Sequence, residues 1–182
     1  MYFWKGNKMS ENNTLKIKKY YLLILLACIF SSCQRDDICG EVIPTTPQLI
    51  IRFFDNENPL EFRSVNSLRV FAQGIEDPIA TINRTTTDSI VLPLRSFEEQ
   101  TTFILITDSA DNEEGMETGN TDILTFNYDT REAFVSRPCG FIANYDNLLD
   151  LLEPDADNWI QSISIVNSTV ENENEAHVQI FH

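Results

Sequence analysis

From residue 49 onward, apolar side chains recur at every second position in one short segment after another. Leu49, Ile51 and Phe53 form one such row; Leu68, Val70 and Ala72, then Ile90, Leu92 and Leu94, then Leu124, Phe126 and Tyr128 form others. Successive side chains of a strand point to opposite faces, so each row marks the buried side of a half-buried strand. Residues 102–106 are apolar on both faces, as in a strand covered on each side. Asp129-Thr130-Arg131-Glu132 is a polar break short enough for a hairpin. Pro93 lacks a ladder donor, which puts its strand at an edge or a bulge. Near the end, Ile163 and Ile165 alternate with Ser162 and Ser164. After a polar turn over 167–175, Ala176, Val178 and Ile180 alternate with His177, Gln179 and Phe181.

One stretch has helical spacing instead. Asp146 would cap a turn or two carrying Leu148, Leu149, Leu151 and Leu152, ended by Pro154. Roughly seven to nine short strands with frequent turns and almost no helix predict an all-β, antiparallel β-sandwich of immunoglobulin-like type. It would form a single domain over 48–182.

The first 47 residues follow another pattern. Lys16, Lys18 and Lys19 precede an unbroken apolar run from Tyr20 to Phe30, and Ser31 and Ser32 lead into Cys33. Basic, apolar, then small is the order of a secretory signal. The run is eleven residues, whereas a transmembrane helix needs about twenty. A transmembrane helix and a soluble signal peptide cut at a small residue are the competing readings. The polar break falls at the cysteine itself, which favours a lipidated cysteine. Residues 1–32 then read as a lipoprotein signal peptide and 33–47 as a polar, proline-containing lipidated tether.

Phe30-Ser31-Ser32-Cys33 resembles the lipobox of bacterial lipoproteins, with Phe30 where leucine is usual. That resemblance implies diacylglycerol on the sulfur of Cys33 and cleavage before it. Gln34-Arg35-Asp36-Asp37 looks like the short tag that exports Bacteroidota lipoproteins to the cell surface; read blandly, it is a solvated charged tether. Ile38-Cys39, the run from Thr46 to Ile51, the run from Asp122 to Tyr128, Phe134-Val135-Ser136-Arg137-Pro138-Cys139-Gly140 and the run from Asn172 to His177 are similar to an uncharacterised flavobacterial lipoprotein family of unknown function. It would span nearly all of the chain after Cys33. It implies a compartment, the outer membrane at its periplasmic face or the cell surface, and no activity.

Charge sharpens this picture. Five of the 13 basic residues and one of the 28 acids precede Cys33, so cleavage there leaves 8 against 27, a balance of −19, with no lysine. Such a surface repels phosphate backbones and anionic head groups, which argues against nucleic-acid partners and against electrostatic membrane docking. Membrane attachment would run through the lipid.

Candidate chemistry is sparse. Nucleophilic catalysis needs a base beside its nucleophile, and His177 and His182 are the only histidines, expected to be exposed. Neither Cys39 nor Cys139 belongs to a short-spaced zinc pair, so no metal site is expected there. No glycine-rich phosphate loop occurs, which leaves nucleotide chemistry and cofactors without support. The loop over 108–122 holds Asp108, Asp111, Glu113, Glu114, Glu117 and Asp122 without a basic residue. It is read as a solvated acidic loop, with a calcium site as the less favoured reading. Asp88-Ser89-Ile90 and Asp108-Ser109-Ala110 resemble Bacteroidota O-glycosylation acceptors, and Ser109, in the polar loop, is the better candidate. Once Cys28 leaves with the signal and Cys33 carries lipid, Cys39 and Cys139 remain. In an oxidising compartment the pair is read first as a disulfide, and otherwise as two reduced buried thiols.

The expected function is a non-enzymatic, lipid-anchored interaction module whose partner is an outer-membrane β-barrel or another surface lipoprotein. The alternative is a carboxylate-based hydrolase acting on glycans, for which two of the many acids would suffice.

Overall fold

The alternating rows become the inner faces of two sheets. The computed structural model describes residues 44–182 together with Lys18, Lys19, Tyr21 and Cys39. In chain order the strands are β1 (Leu49–Phe54), β2 (Val65–Ala72), β3 (Asn83–Thr87), β4 (Ser89–Leu92), β5 (Gln100–Thr107), β6 (Asn120–Ser136), β7 (Gly140–Leu152), β8 (Ser162–Ile165) and β9 (Val178–Phe181), with one 3-10 turn at Ala80–Ile82. One sheet has the order β4-β1-β9-β8 and the other β3-β2-β5-β6-β7. All pairings are antiparallel except β1 with β9, where Ile51 faces Val178 and Phe53 faces Ile180.

The chain is an all-β sandwich. Leu49, Ile51, Phe53, Ile90, Leu92, Val178 and Ile180 of the first sheet pack in one core with Leu68, Val70, Phe103, Leu105, Leu124 and Phe126 of the second. Burying each such side chain contributes about 1.5–3 kcal/mol before the entropy of ordering is set against it. The four alternating rows anticipated from the sequence supply half of the buried core. β4 is an edge strand, as Pro93 requires.

The strand order is not that of an immunoglobulin domain, in which strands A and B share a sheet. Here the segment over 55–64 carries the chain from β1 across to the other sheet before β2.

Two local expectations also change. Asp129-Thr130-Arg131-Glu132 is not a turn: β6 runs through it, and the hairpin closes at 137–139, between paired Ser136 and Gly140. Gly140, at φ 74, supplies the left-handed residue of that closure. The leucines after Asp146 are strand, not helix. Asn147 has φ 55, and the ladder steps from Asn127–Leu149 to Asp129–Asp146, so β7 carries one extra residue. Tyr145 and Leu148 consequently both face the core although they are three apart, while Leu149 and Leu151 face outward. A bulged strand thus reproduces the spacing of a helical turn.

The chain divides into two units, Met1–Gly40 and Glu41–His182. In the first, Lys18, Lys19 and Tyr21 are helical and exposed. No helix among the described residues is long and apolar enough to cross a membrane.

Candidate interaction surface

β6 and β7 are longer than the sheet that holds them. β5 pairs with β6 only from Asn120 to Asn127, so beyond that point the β6–β7 ladder has no third strand among the described residues. A two-stranded ribbon is marginal in water, and this one is braced from the side. Tyr145 and Val170 exchange backbone hydrogen bonds at 3.0 and 2.7 Å, and the Leu148 N–H donates to the Ser168 carbonyl at 3.0 Å. The Tyr145 hydroxyl donates to the Leu94 carbonyl at 3.1 Å, and its ring packs edge-on to Tyr128 at 5.0 Å. Val170 lies inside the expected polar turn over 167–175, yet it is fully buried.

At the end of this arm Phe134 and Phe141 face each other across the ladder, ring centroids 5.3 Å apart. They are 61% and 63% exposed, and Phe97 is 99% exposed. A depression of about 200 Å³ joins Phe97 to Phe141, lined also by Thr46, Glu132, Ile142 and Ala143. On the outer face of β7, Leu149 and Leu151 are 63% and 60% exposed. Next to Leu149, where the bulge turns the chain, a wider hollow of about 510 Å³ is lined by Glu99, Gln100, Asn127, Asp129 and Asn147. The Asn147 amide donates to Asp129 there at 2.6 Å. Clustered apolar exposure of this kind marks contact surfaces. The sequence reading missed it, although two signals were available: Phe97 is flanked by Ser96 and two glutamates, and Phe134 and Phe141 lie on either side of an Arg-Pro-Cys-Gly turn.

The acidic loop is not an open ligand set. Glu117 turns inward and is saturated by the protein's own donors. Its Oε2 accepts from Arg69 Nη1 at 3.1 Å and Ser109 Oγ at 2.7 Å, and its Oε1 accepts the N–H groups of Ala110, Thr118 and Gly119 at 2.9–3.1 Å. Burial would raise this carboxyl, but the bonds from Ser109, Gly119, Arg69 and Ala110 outweigh it and hold it at about 2. Arg84 adds an ion pair to Glu117 at 3.8 Å and a close one to Asp111. Among the described residues no cluster of acids, histidines or cysteines is arranged to hold a metal.

Ser109 is buried at 3% exposure, donating to Glu117 and accepting from Arg84 Nε at 3.2 Å. The folded domain therefore withholds the hydroxyl that its loop position suggested was accessible, because the loop folds back over it. Ser89 is half-buried in edge strand β4.

Both histidines were expected to be exposed, and neither is. His177 is 1% exposed, and its Nδ1 accepts the Ile50 N–H at 3.1 Å. His182 packs edge-on against Phe53 and Trp159 at 6.0 and 5.7 Å, its Nε2 3.2 Å from the Arg63 carbonyl. Burial lowers the proton affinity of both rings. A hydrolase acid needs a protonated carboxyl in a cleft. Asp122 is the carboxyl that desolvation pushes up, but it is fully buried and accepts the Ile160 and Trp159 N–H groups at 2.9 and 3.4 Å. It closes the core rather than facing substrate.

Cys33 and the segment Gln34-Arg35-Asp36-Asp37 lie outside the described residues, as does most of the apolar run. Cys39 and Cys139 are both disulfide-bonded, and Cys139 stands in the hairpin turn of the arm.

Residues 67–182 match a family of unknown function (DUF6452), from β2 through the arm to the last strand. The chain belongs to this DUF6452 family. The match takes in the aromatic arm, the Glu117 loop and both histidines. It begins inside β2, so β1, although central in its sheet, precedes the matched region. No curated protein and no solved structure matches the chain.

Proposed function

We propose that this DUF6452 protein is a lipoprotein anchored through Cys33 in the outer membrane, and that its sandwich is a non-enzymatic interaction module. The order of Lys16, Lys18 and Lys19, the apolar run, Ser31, Ser32 and Cys33 supports the anchor. The observation that carries the binding role is the outward pair Leu149 and Leu151 on β7, the strand that ends the five-stranded sheet. Segment 168–170 covers the edge of β7 at Tyr145 and Leu148, and the strand then continues with both leucines presented to solvent. An edge strand with apolar side chains can be extended by a strand from a partner. The partner fitting that location is an outer-membrane β-barrel or another surface lipoprotein.

The test has two arms. Cys33→Ala should abolish lipid labelling and leave uncleaved precursor; a variant that still labels with palmitate removes the anchor. Crosslinking in intact envelopes should give a discrete adduct with the parent protein and lose it with Leu149→Asp, Leu151→Asp. An adduct unchanged by both substitutions removes β7 as the binding edge.

A further inference from the structure

We infer that the aromatic end of the β6–β7 arm is the face that the domain lays against the lipid bilayer. The inference rests on the lipid-anchor reading above and goes beyond it by naming the part of the sandwich that meets the lipid.

The patch has the right chemistry. Phe97, Phe134 and Phe141 are each more than 60% exposed and are contiguous, two through their rings and two through the depression between them. Aromatic rings held in water lose that hydration penalty when they enter the interfacial zone of a bilayer. Charge supports the same face. The stretch over 133–143 contains no acid and one cation, the exposed Arg137, in a chain where acids far outnumber bases. An acid-rich body approaches head groups at least cost where acids are fewest, and Arg137 can pair with their phosphates. Glu132 lines the depression, and Glu98 and Glu99 follow Phe97 in the chain, Glu98 being paired with Arg95 at 2.8 Å.

The tether gives the same orientation. The chain enters the sandwich at this end, since the Ala143 N–H donates to Thr46 Oγ1 at 3.1 Å. Twelve residues separate Cys33 from Thr46, a reach of at most about 47 Å when fully extended. The disulfide expected between Cys39 and Cys139 would shorten it: the six steps from Cys33 to Cys39 span at most about 22 Å. With that bond in place, the hairpin turn would be held near the surface into which the acyl chains insert.

The test uses the processed, lipid-bearing protein reconstituted in phosphatidylcholine–phosphatidylethanolamine vesicles, with bromine on the acyl chains as a contact quencher. Tryptophan is introduced singly as Phe97→Trp or Phe141→Trp, both exposed aromatic positions. Leu60→Trp, 95% exposed beyond the far end of β1, is the comparison. In the processed chain the native background is Trp159 alone. Emission from positions 97 and 141 should shift to the blue and fall at least twofold with brominated lipid, while position 60 stays unchanged. Protein that floats with the vesicles but shows no quenching at 97 or 141 overturns the docking and leaves the anchor intact. Protein that does not float overturns the anchor, and the docking with it. A blue shift without bromine quenching, together with a doubled mass, assigns the patch to a second copy of the chain and also overturns the docking.

Discussion

His177 and Ile50 exchange two hydrogen bonds: the Ile50 N–H donates to His177 Nδ1 at 3.1 Å, and the His177 N–H donates to the Ile50 carbonyl at 2.9 Å. The pair starts the one parallel pairing of the sandwich, immediately before Ile51 meets Val178. Nδ1 can accept only while it is unprotonated.

That requirement makes the sandwich acid-sensitive. Desolvation lowers the His177 pKa from 6.5, against the opposing pull of the Asn172 backbone, Glu175 and Glu173; burial does the same for His182. Above 6.5 both states are neutral and stability is complete. As pH falls through that value the unfolded chain takes up protons first, so stability declines. Urea midpoints should drop between about pH 7.5 and about pH 5. His177→Leu should cost about 1–3 kcal/mol near neutrality, because the Ile50 N–H is left unsatisfied, and should flatten the pH dependence. A slope equal to the parent's would remove His177 as its source.

Glu117 gives stability over a lower range. Its pKa falls from 4.5 to about 2 on folding, so its contribution is complete above 4.5 and is lost as pH falls toward 2. The side chain is 24% exposed, and with solvent screening the contribution is about 1–3 kcal/mol. Glu117→Gln should cost that much near neutrality and lessen the acid sensitivity between those two pH values. Added calcium should leave the melting temperature of the parent unchanged, since the protein's own donors occupy both oxygens.

The core was legible in the sequence because alternation is a local signal. Leu49, Ile51 and Phe53, and Leu124, Phe126 and Tyr128, face inward as their spacing requires. The misreadings arise where long-range packing overrides local pattern. Asn147 shifts β7 by one residue, which turns a strand pattern into helix spacing. Val170 is buried because Tyr145 pairs with it, and nothing in a polar 167–175 announces that contact. His177 and Val178 are neighbours and are both buried, since His177 precedes the ladder and folds onto Ile50 instead of alternating with it. Ser109 was placed by its loop, but Glu117, eight residues later, draws it inside. The aromatic surface required knowing that β6 and β7 outrun β5.

Gly119 should tolerate no side chain. A Cβ there would lie 2.5 Å from Ile106 Cγ2 and 2.5 Å from the Thr107 carbonyl oxygen. The second neighbour is backbone and cannot rotate away. Gly119→Ala should therefore destabilise by about 1–3 kcal/mol through overpacking, whereas Gly115→Ala, which meets no neighbour but has φ 78, should cost only the backbone strain, about 1 kcal/mol. Equal denaturation midpoints for the two variants would contradict the close approach.

The arm's tip should depend on a bond between Cys39 and Cys139. Both cysteines are disulfide-bonded, and Cys139 occupies the turn of a ribbon that, among the described residues, has no third strand beyond Asn127. Joining them closes a loop of about 100 residues, worth up to ~4.7 kcal/mol in the chain-entropy model and more often ~2–4 in practice. The gain should be felt most at the ribbon, where few other contacts resist opening. Non-reducing peptide mapping should recover the two cysteines in one linked species. Reduction should lower the melting temperature and accelerate amide exchange around Phe134 and Phe141 before it affects β5. Both residues recovered as alkylatable thiols in the exported protein would show that the arm is held by its packing against Val170 and Leu94 alone.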